Sequence, residues 1–388
     1  MKRLIAMLAL LSLMLSTVSC IHNAPSKPEN NGHATESETT SSLGSHPSTP
    51  PAQLPSWSSS TAEATSFLTK ESAVVDCSKA TYSYSEMVDD LKALADQYPS
   101  RFTYRSFGKS LAGRDLYVAT LGDPNAPKQI LISAGIHGRE YLTPLLAMKQ
   151  LEFYLHFYDV GECNGTPYAQ LFDDVCICVV PMTNPDGVML SQEGLSSVND
   201  LTLRETVRKV YEADLKKGYT SQTDVDRYLK YWKANVRGVD LNRNFDALWE
   251  EYDSGEKSPC HRSYKGAYAA SEPETQAMMA LTDSLSNLLA VVAIHSQGEV
   301  LYWNCGQDDA LLDRTEDFTR VLSASTGYTV VAERNNDASY TDWCALERGL
   351  IAVTVETGLG TCPLPISQFS TIWLENYDLV VQSISYFE

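Results

Sequence analysis

Residues 129–140 read QILISAGIHGRE. Gln129 to Ile136 is a short apolar run of the kind that forms a strand buried on both faces. It breaks directly into the polar and reactive His137-Gly138-Arg139-Glu140. The same arrangement recurs twice. Leu289 to Ile294 leads to His295-Ser296, and Leu350 to Val355 leads to Glu356-Thr357-Gly358. Leu116 to Leu121 and Val175 to Pro181 also read as strands, the second followed by a turn at Asn184-Pro185-Asp186-Gly187. Helical spacing is visible from Ser85 to Tyr98, through Met87, Leu91, Leu94 and Ala95. Thr143 to Phe157 is a strongly apolar helix, and Ser271 to Leu288 reads as another with Glu272 and Glu274 in its first turn. Apolar strands alternating with helices predict an α/β sheet with helices on both faces.

In open α/β sheets, functional groups collect at the carboxyl ends of the strands. If these three strands are neighbours, His137, Glu140, His295 and Glu356 meet in one cleft. Two imidazoles and a carboxylate are a common catalytic zinc set, with the fourth position left to water. A separate carboxylate must then take a proton from that water and deliver it to the leaving amine. Glu356 fits that role as catalytic base, outside the metal's direct ligands. Each piece alone has a plain alternative: an exposed turn, a hydrogen-bonded core histidine, a structural ion pair. Outside the amino-terminal tail the histidines are His137, His156, His261 and His295. His156 reads as packing on a helix and His261 as solvated, which leaves the two at strand ends.

The chain has 388 residues, is 43% hydrophobic and carries a formal net charge of -19. That supplies a sizeable core. It argues against nucleic-acid binding, which needs a basic face to neutralise phosphates. Residues 1–20 read as a signal peptide: Lys2 and Arg3, then an apolar run from Leu4 to Leu15, too short for a comfortable membrane span. Cys20 stands where bacterial lipoproteins carry their lipid, although Thr17 replaces the usual leucine, so any membrane contact is expected through a lipid anchor there. Export to the extracellular side or the cell envelope follows. Residues 21–75, rich in Ser, Thr and Pro, read as a disordered tether, and 76–388 as the catalytic domain. The remaining cysteines, from Cys77 to Cys362, are compatible either with disulfides or with buried thiols.

Taken in order, six stretches resemble the zinc metallocarboxypeptidases, the carboxypeptidase A-like family. They are His137-Gly138-Arg139-Glu140-Tyr141, Asn184-Pro185-Asp186-Gly187, Gly238 to Phe245, Ile294-His295-Ser296, Asp342-Trp343 and Val355-Glu356-Thr357-Gly358. The resemblance spans about residues 80 to 388. It implies a single carboxypeptidase-like domain with a mixed, roughly eight-stranded sheet between helices. It also implies one zinc ion per chain, held by His137, Glu140 and His295. Asn242 and Arg243 would bind the substrate's free carboxylate, to which a guanidinium fork is suited. Arg139 would line the cleft. Lys233 falls where the family has an arginine that polarises the scissile carbonyl, and it offers charge without the fork.

Other positions depart from the pattern. Arg334 stands where the family has a substrate-contacting tyrosine, and Tyr340 is the nearest tyrosine. Thr341 falls at a position that sets pocket specificity. Cys260 matches a family disulfide cysteine, but its partner position holds Val236. There is no room for a globular inhibitory pro-segment, so no zymogen step is expected.

Trp232-Lys233-Ala234-Asn235, His295 to Glu299 and Tyr302-Trp303 look like the bacterial γ-D-glutamyl-L-diamino acid endopeptidases. The expected substrate is therefore a peptidoglycan stem peptide, cut between γ-D-glutamate and diaminopimelate by a monomer. A general carboxypeptidase on nutrient peptides and a zinc amidohydrolase on small acylated amino acids remain as alternatives. So does an envelope-binding lipoprotein with a vestigial site.

Overall fold

Lys128–Ala134 is a strand, and its neighbours are the other apolar runs. In this computed structural model, which describes residues 60–70, 73–334 and 336–388, eight strands form one mixed sheet. In chain order they are β1 (Phe102–Lys109), β2 (Asp115–Leu121), β3 (Lys128–Ala134), β4 (Val175–Val180), β5 (Leu288–His295), β6 (Val300–Tyr302), β7 (Thr329–Val331) and β8 (Ile351–Glu356). Across the sheet the order is β1-β2-β4-β3-β5-β8-β6-β7. The central β4, β3, β5 and β8 run parallel, so their carboxyl ends lie on one edge.

The strands are apolar on both sides because both sides are covered. Ile130, Ile132, Val292 and Val353 pack on one face, beneath the helices Tyr84–Gln97, Leu142–His156 and Asp309–Thr326. Leu131, Cys176, Val291 and Ala352 point to the other, against Pro273–Ser284 and Tyr340–Arg348. A smaller cluster, built on Val207, Val210, Tyr228 and Trp232, joins the helix Leu201–Lys217 to the segment before Lys233.

Three expectations change. Asn184-Pro185-Asp186-Gly187 is not a free-standing turn but the start of a helix, Pro185–Glu193. Asn184 caps it by accepting from Gly187 N, and proline suits the first helical turn because its missing N–H has no intrahelical partner there. The ordered body begins before residue 76: Ser60–Leu68 is a helix with Ala64 and Phe67 buried. Its few apolar side chains are enough because they meet a ready surface, with Trp373 Nε1 donating to Ala64 O at 2.9 Å. His261 is buried rather than solvated, its Nδ1 2.7 Å from Asp214 Oδ2.

None of the eight cysteines from Cys77 to Cys362 is in a disulfide. The signal peptide, Cys20 and most of the expected tether lie outside the described residues. Among the described residues no helix is long and apolar enough to cross a membrane.

Candidate functional site

The loop after β3 turns back under the sheet edge and must come very close to two other segments. A Cβ on Gly138 would stand 2.3 Å from Gly187 O, and one on Gly187 would stand 2.5 Å from Ala234 O. Only glycines permit that approach. Gly138 N donates to Lys233 O at 3.2 Å, and Asn184 Nδ2 donates to Ile136 O and Ala234 O at 3.0 and 3.1 Å. These bonds fix the positions of His137, Glu140 and Lys233 relative to one another.

His137, Glu140 and His295 converge, with their ligand atoms all within 4.8 Å of one another and all three side chains buried. His137 Nδ1 lies 2.9 Å from Glu140 Oε1 and 3.1 Å from His295 Nδ1, which is 3.2 Å from Glu140 Oε2. On its far side, His137 Nε2 faces Asp240 Oδ1 at 3.2 Å. That carboxylate assigns the proton to Nε2 and turns the Nδ1 lone pair inward. Two inward-facing imidazole lone pairs and a carboxylate at this range repel one another unless a proton or a metal cation lies among them. Burial would raise the Glu140 carboxyl, but His137 and His295 outweigh it and hold the group well below the carboxylate range. The donor set and its carboxylate-backed histidine fit a zinc ion.

Glu356 ends β8 directly beside His295, with which it is paired in the parallel register. Its Oε2 is buried without a hydrogen-bond partner. Burial pushes this carboxyl up to about 7, opposed by His295, Lys233 and Arg139 and reinforced by Glu140. A base in that range takes up and releases protons near neutrality. Ser296 N donates to Glu140 Oε2 at 3.2 Å, which steadies the triad.

Asp240 links the triad to the cations. Lys233 Nζ stands 4.0 Å from its Oδ2, while Asn242 N and Ser263 N donate to the same carboxylate at 3.2 and 3.0 Å. Asn242 Oδ1 accepts from Tyr340 N at 3.1 Å, leaving its amide N–H groups as the available donors. Arg243 is largely buried. Its guanidinium reaches Asp337 Oδ2 at 3.0 Å and Asn242 O at 2.8 Å, yet its Nε has no partner. Arg139 Nε is also buried and unpartnered. Unpaired polar atoms in one region are what a polar ligand would satisfy.

Tyr340 is buried and its hydroxyl is engaged with Thr282 Oγ1 at 2.7 Å. Thr341 is buried too, sharing a hydrogen bond with Thr354. Arg334 donates to Asn336 at 2.7 Å. Neither Asp240 nor Asp337 is marked by the sequence as a functional residue. Asp240 lies inside the quoted Gly238 to Phe245 motif, so its position was marked although its task was not.

A family model described as zinc carboxypeptidase matches residues 87–378. Gamma-D-glutamyl-L-diamino acid endopeptidase 1 of Lysinibacillus sphaericus is 33% identical over 298 residues, 76% of this chain and 70% of that protein. Carboxypeptidase A1 of Bos taurus is 29% identical over 241 residues, 61% of this chain and 50% of that protein. The crystal structure of the carboxypeptidase A from Helicoverpa armigera aligns with a TM-score of 0.60 at 17% identity, over 84% of this chain and 78% of its own, a likeness of fold. By the long family match and the endopeptidase relative, the chain belongs to the zinc carboxypeptidase family of metallopeptidases.

Proposed function

We propose that the protein hydrolyses the amide bond preceding a residue with a free carboxylate. Its substrate on this reading is a peptidoglycan stem peptide, cut between γ-D-glutamate and a diamino acid such as diaminopimelate. The observation that carries the chemistry is the buried triad of His137, Glu140 and His295 beside the unpartnered Glu356. One zinc ion bound by the triad would polarise the scissile carbonyl and acidify the attacking water. Glu356 takes the proton from that water as its oxygen bonds to the carbonyl carbon. The same carboxyl then hands the proton to the departing amine nitrogen as the C–N bond breaks. Lys233 and Arg139 supply positive charge beside the developing oxyanion. Arg243 and Asn242 hold the substrate carboxylate, so that the bond cut is the one next to it.

The choice of a stem peptide is supported by the diamino acid endopeptidase at 33% identity. Export, with a lipid at Cys20, would keep such an enzyme at the envelope. That part rests on Lys2, Arg3 and the apolar run Leu4 to Leu15. The likeness to carboxypeptidase A1 favours a second reading, a general carboxypeptidase on nutrient peptides. Mass spectrometry separates them. The full chain is incubated with a stem peptide containing γ-D-glutamyl-diaminopimelate and with an L-peptide of equal length. Cleavage of the first at that bond is expected. An intact stem peptide beside a released ordinary C-terminal residue would give the second reading its place.

A further inference from the structure

Arg243 is already paired in the protein. Its guanidinium meets Asp337 Oδ2 at 3.0 Å, and both side chains keep some exposure, 18% and 24%. This is an odd neighbour for a residue that must hold a substrate carboxylate. A second carboxylate competes for the same fork and repels the incoming anion. Asp337 is also held in place: its backbone N–H donates to Asp342 Oδ2 at 2.8 Å, and Ser339 N donates to the same oxygen at 3.0 Å. These two bonds fix the backbone that carries Asp337 beside Arg243. The phenol of Tyr302 is raised by burial and then by the negative charges of Glu356 and Asp337. Tyr252 lies beside the pair, its ring centre 5.8 Å from the Arg243 guanidinium carbon.

We propose that Arg243 and Asp337 form a paired-charge subsite for a residue bearing both a carboxylate and a side-chain ammonium, with Asp337 as the ammonium acceptor. Substrate carboxylate, guanidinium, Asp337 carboxylate and substrate ammonium then alternate in sign, and the competition for Arg243 is offset. A residue with a neutral side chain gains no such compensation and must draw Arg243 away from Asp337. The inference rests on the stem-peptide reading and adds the group that selects the diamino acid.

The test uses the full chain and three γ-D-glutamyl peptides, ending in diaminopimelate, in lysine and in α-aminopimelate, which lacks the second amino group. The wild type is expected to favour diaminopimelate over α-aminopimelate by about tenfold or more in kcat/KM, with the difference in KM. Asp337→Asn should lose rate on the two ammonium-bearing peptides and gain on α-aminopimelate, because Arg243 is released. Asp337→Glu should keep the preference. An equal loss on all three peptides would mean that Asp337 only supports the structure, and an unchanged preference would assign the ammonium elsewhere. Either result overturns the proposal. If the wild type cuts none of these peptides but trims ordinary ones, the stem-peptide reading alone fails. L-peptides ending in lysine or norleucine then read Asp337 by the same crossing of rates.

Discussion

Glu356 and His295 are register partners in adjacent strands, yet their chemical tasks differ. His295 Nδ1 joins the converging triad, whereas Glu356 Oε2 is left buried and unbonded beside it. Glu356→Gln keeps the shape and removes the proton acceptor. It is expected to retain bound zinc and to lose ~10²–10⁴-fold in kcat, the usual weight of general acid–base catalysis. Metal analysis and peptide hydrolysis on the same sample check both halves, and zinc loss would make Glu356 a ligand. His295→Ala, in contrast, should release the metal. These residues were legible in the sequence because each follows an apolar strand. Asp240 was not, because its task is to face His137 from 103 residues away. Asp337 was hidden for the same reason, its meaning coming from Arg243. His261 was misread because a polar, charged loop suggested solvent, while the fold buries the ring against Asp214.

Strands carried the legible part of the architecture. β2, β3, β4, β5 and β8 lie where apolar runs placed them, because a strand covered on both faces must be apolar throughout. β1 was missed: of Phe102–Lys109 only Phe102 is buried, so neither alternation nor an apolar run marks it. The helix at Pro185 reads as a turn in sequence because Asn-Pro-Asp-Gly has turn chemistry, and capping by Asn184 uses the same residues. The loop between β3 and the helix Leu142–His156 is held by contact rather than composition. Gly138→Ala adds one methyl group facing Gly187 O at 2.3 Å, a side-chain carbon against backbone that cannot swing away. It is expected to lower zinc affinity although Gly138 is no ligand, since His137 and Glu140 flank it. Zinc titration of the folded variant checks this, and wild-type affinity would show that the loop yields freely.

The acidic chain, at a net charge of -19, does not draw anionic wall fragments by its overall field, so on the proposed function recognition would come from Lys233, Arg139 and Arg243 within the cleft. The body that holds them extends to the amino-terminal helix Ser60–Leu68. Phe67 packs on Phe153 and Phe157, at ring distances of 5.4 and 5.7 Å, with Lys149 Nζ 4.4 Å from its centre. Phe67→Ala should cost ~3–5 kcal/mol in urea unfolding while zinc content stays the same, because the ring contacts Phe153, His156 and Phe157 and none of His137, Glu140 and His295. A change below ~1 kcal/mol would mean that this helix is only loosely attached. The most direct measurement removes the metal from the whole protein. Full-length chain stripped of zinc by a chelator is assayed on a γ-D-glutamyl-diaminopimelate peptide, then titrated with zinc. Hydrolysis should stop on stripping and return fully at one equivalent of zinc, and undiminished cleavage by protein verified to be metal-free would contradict the account.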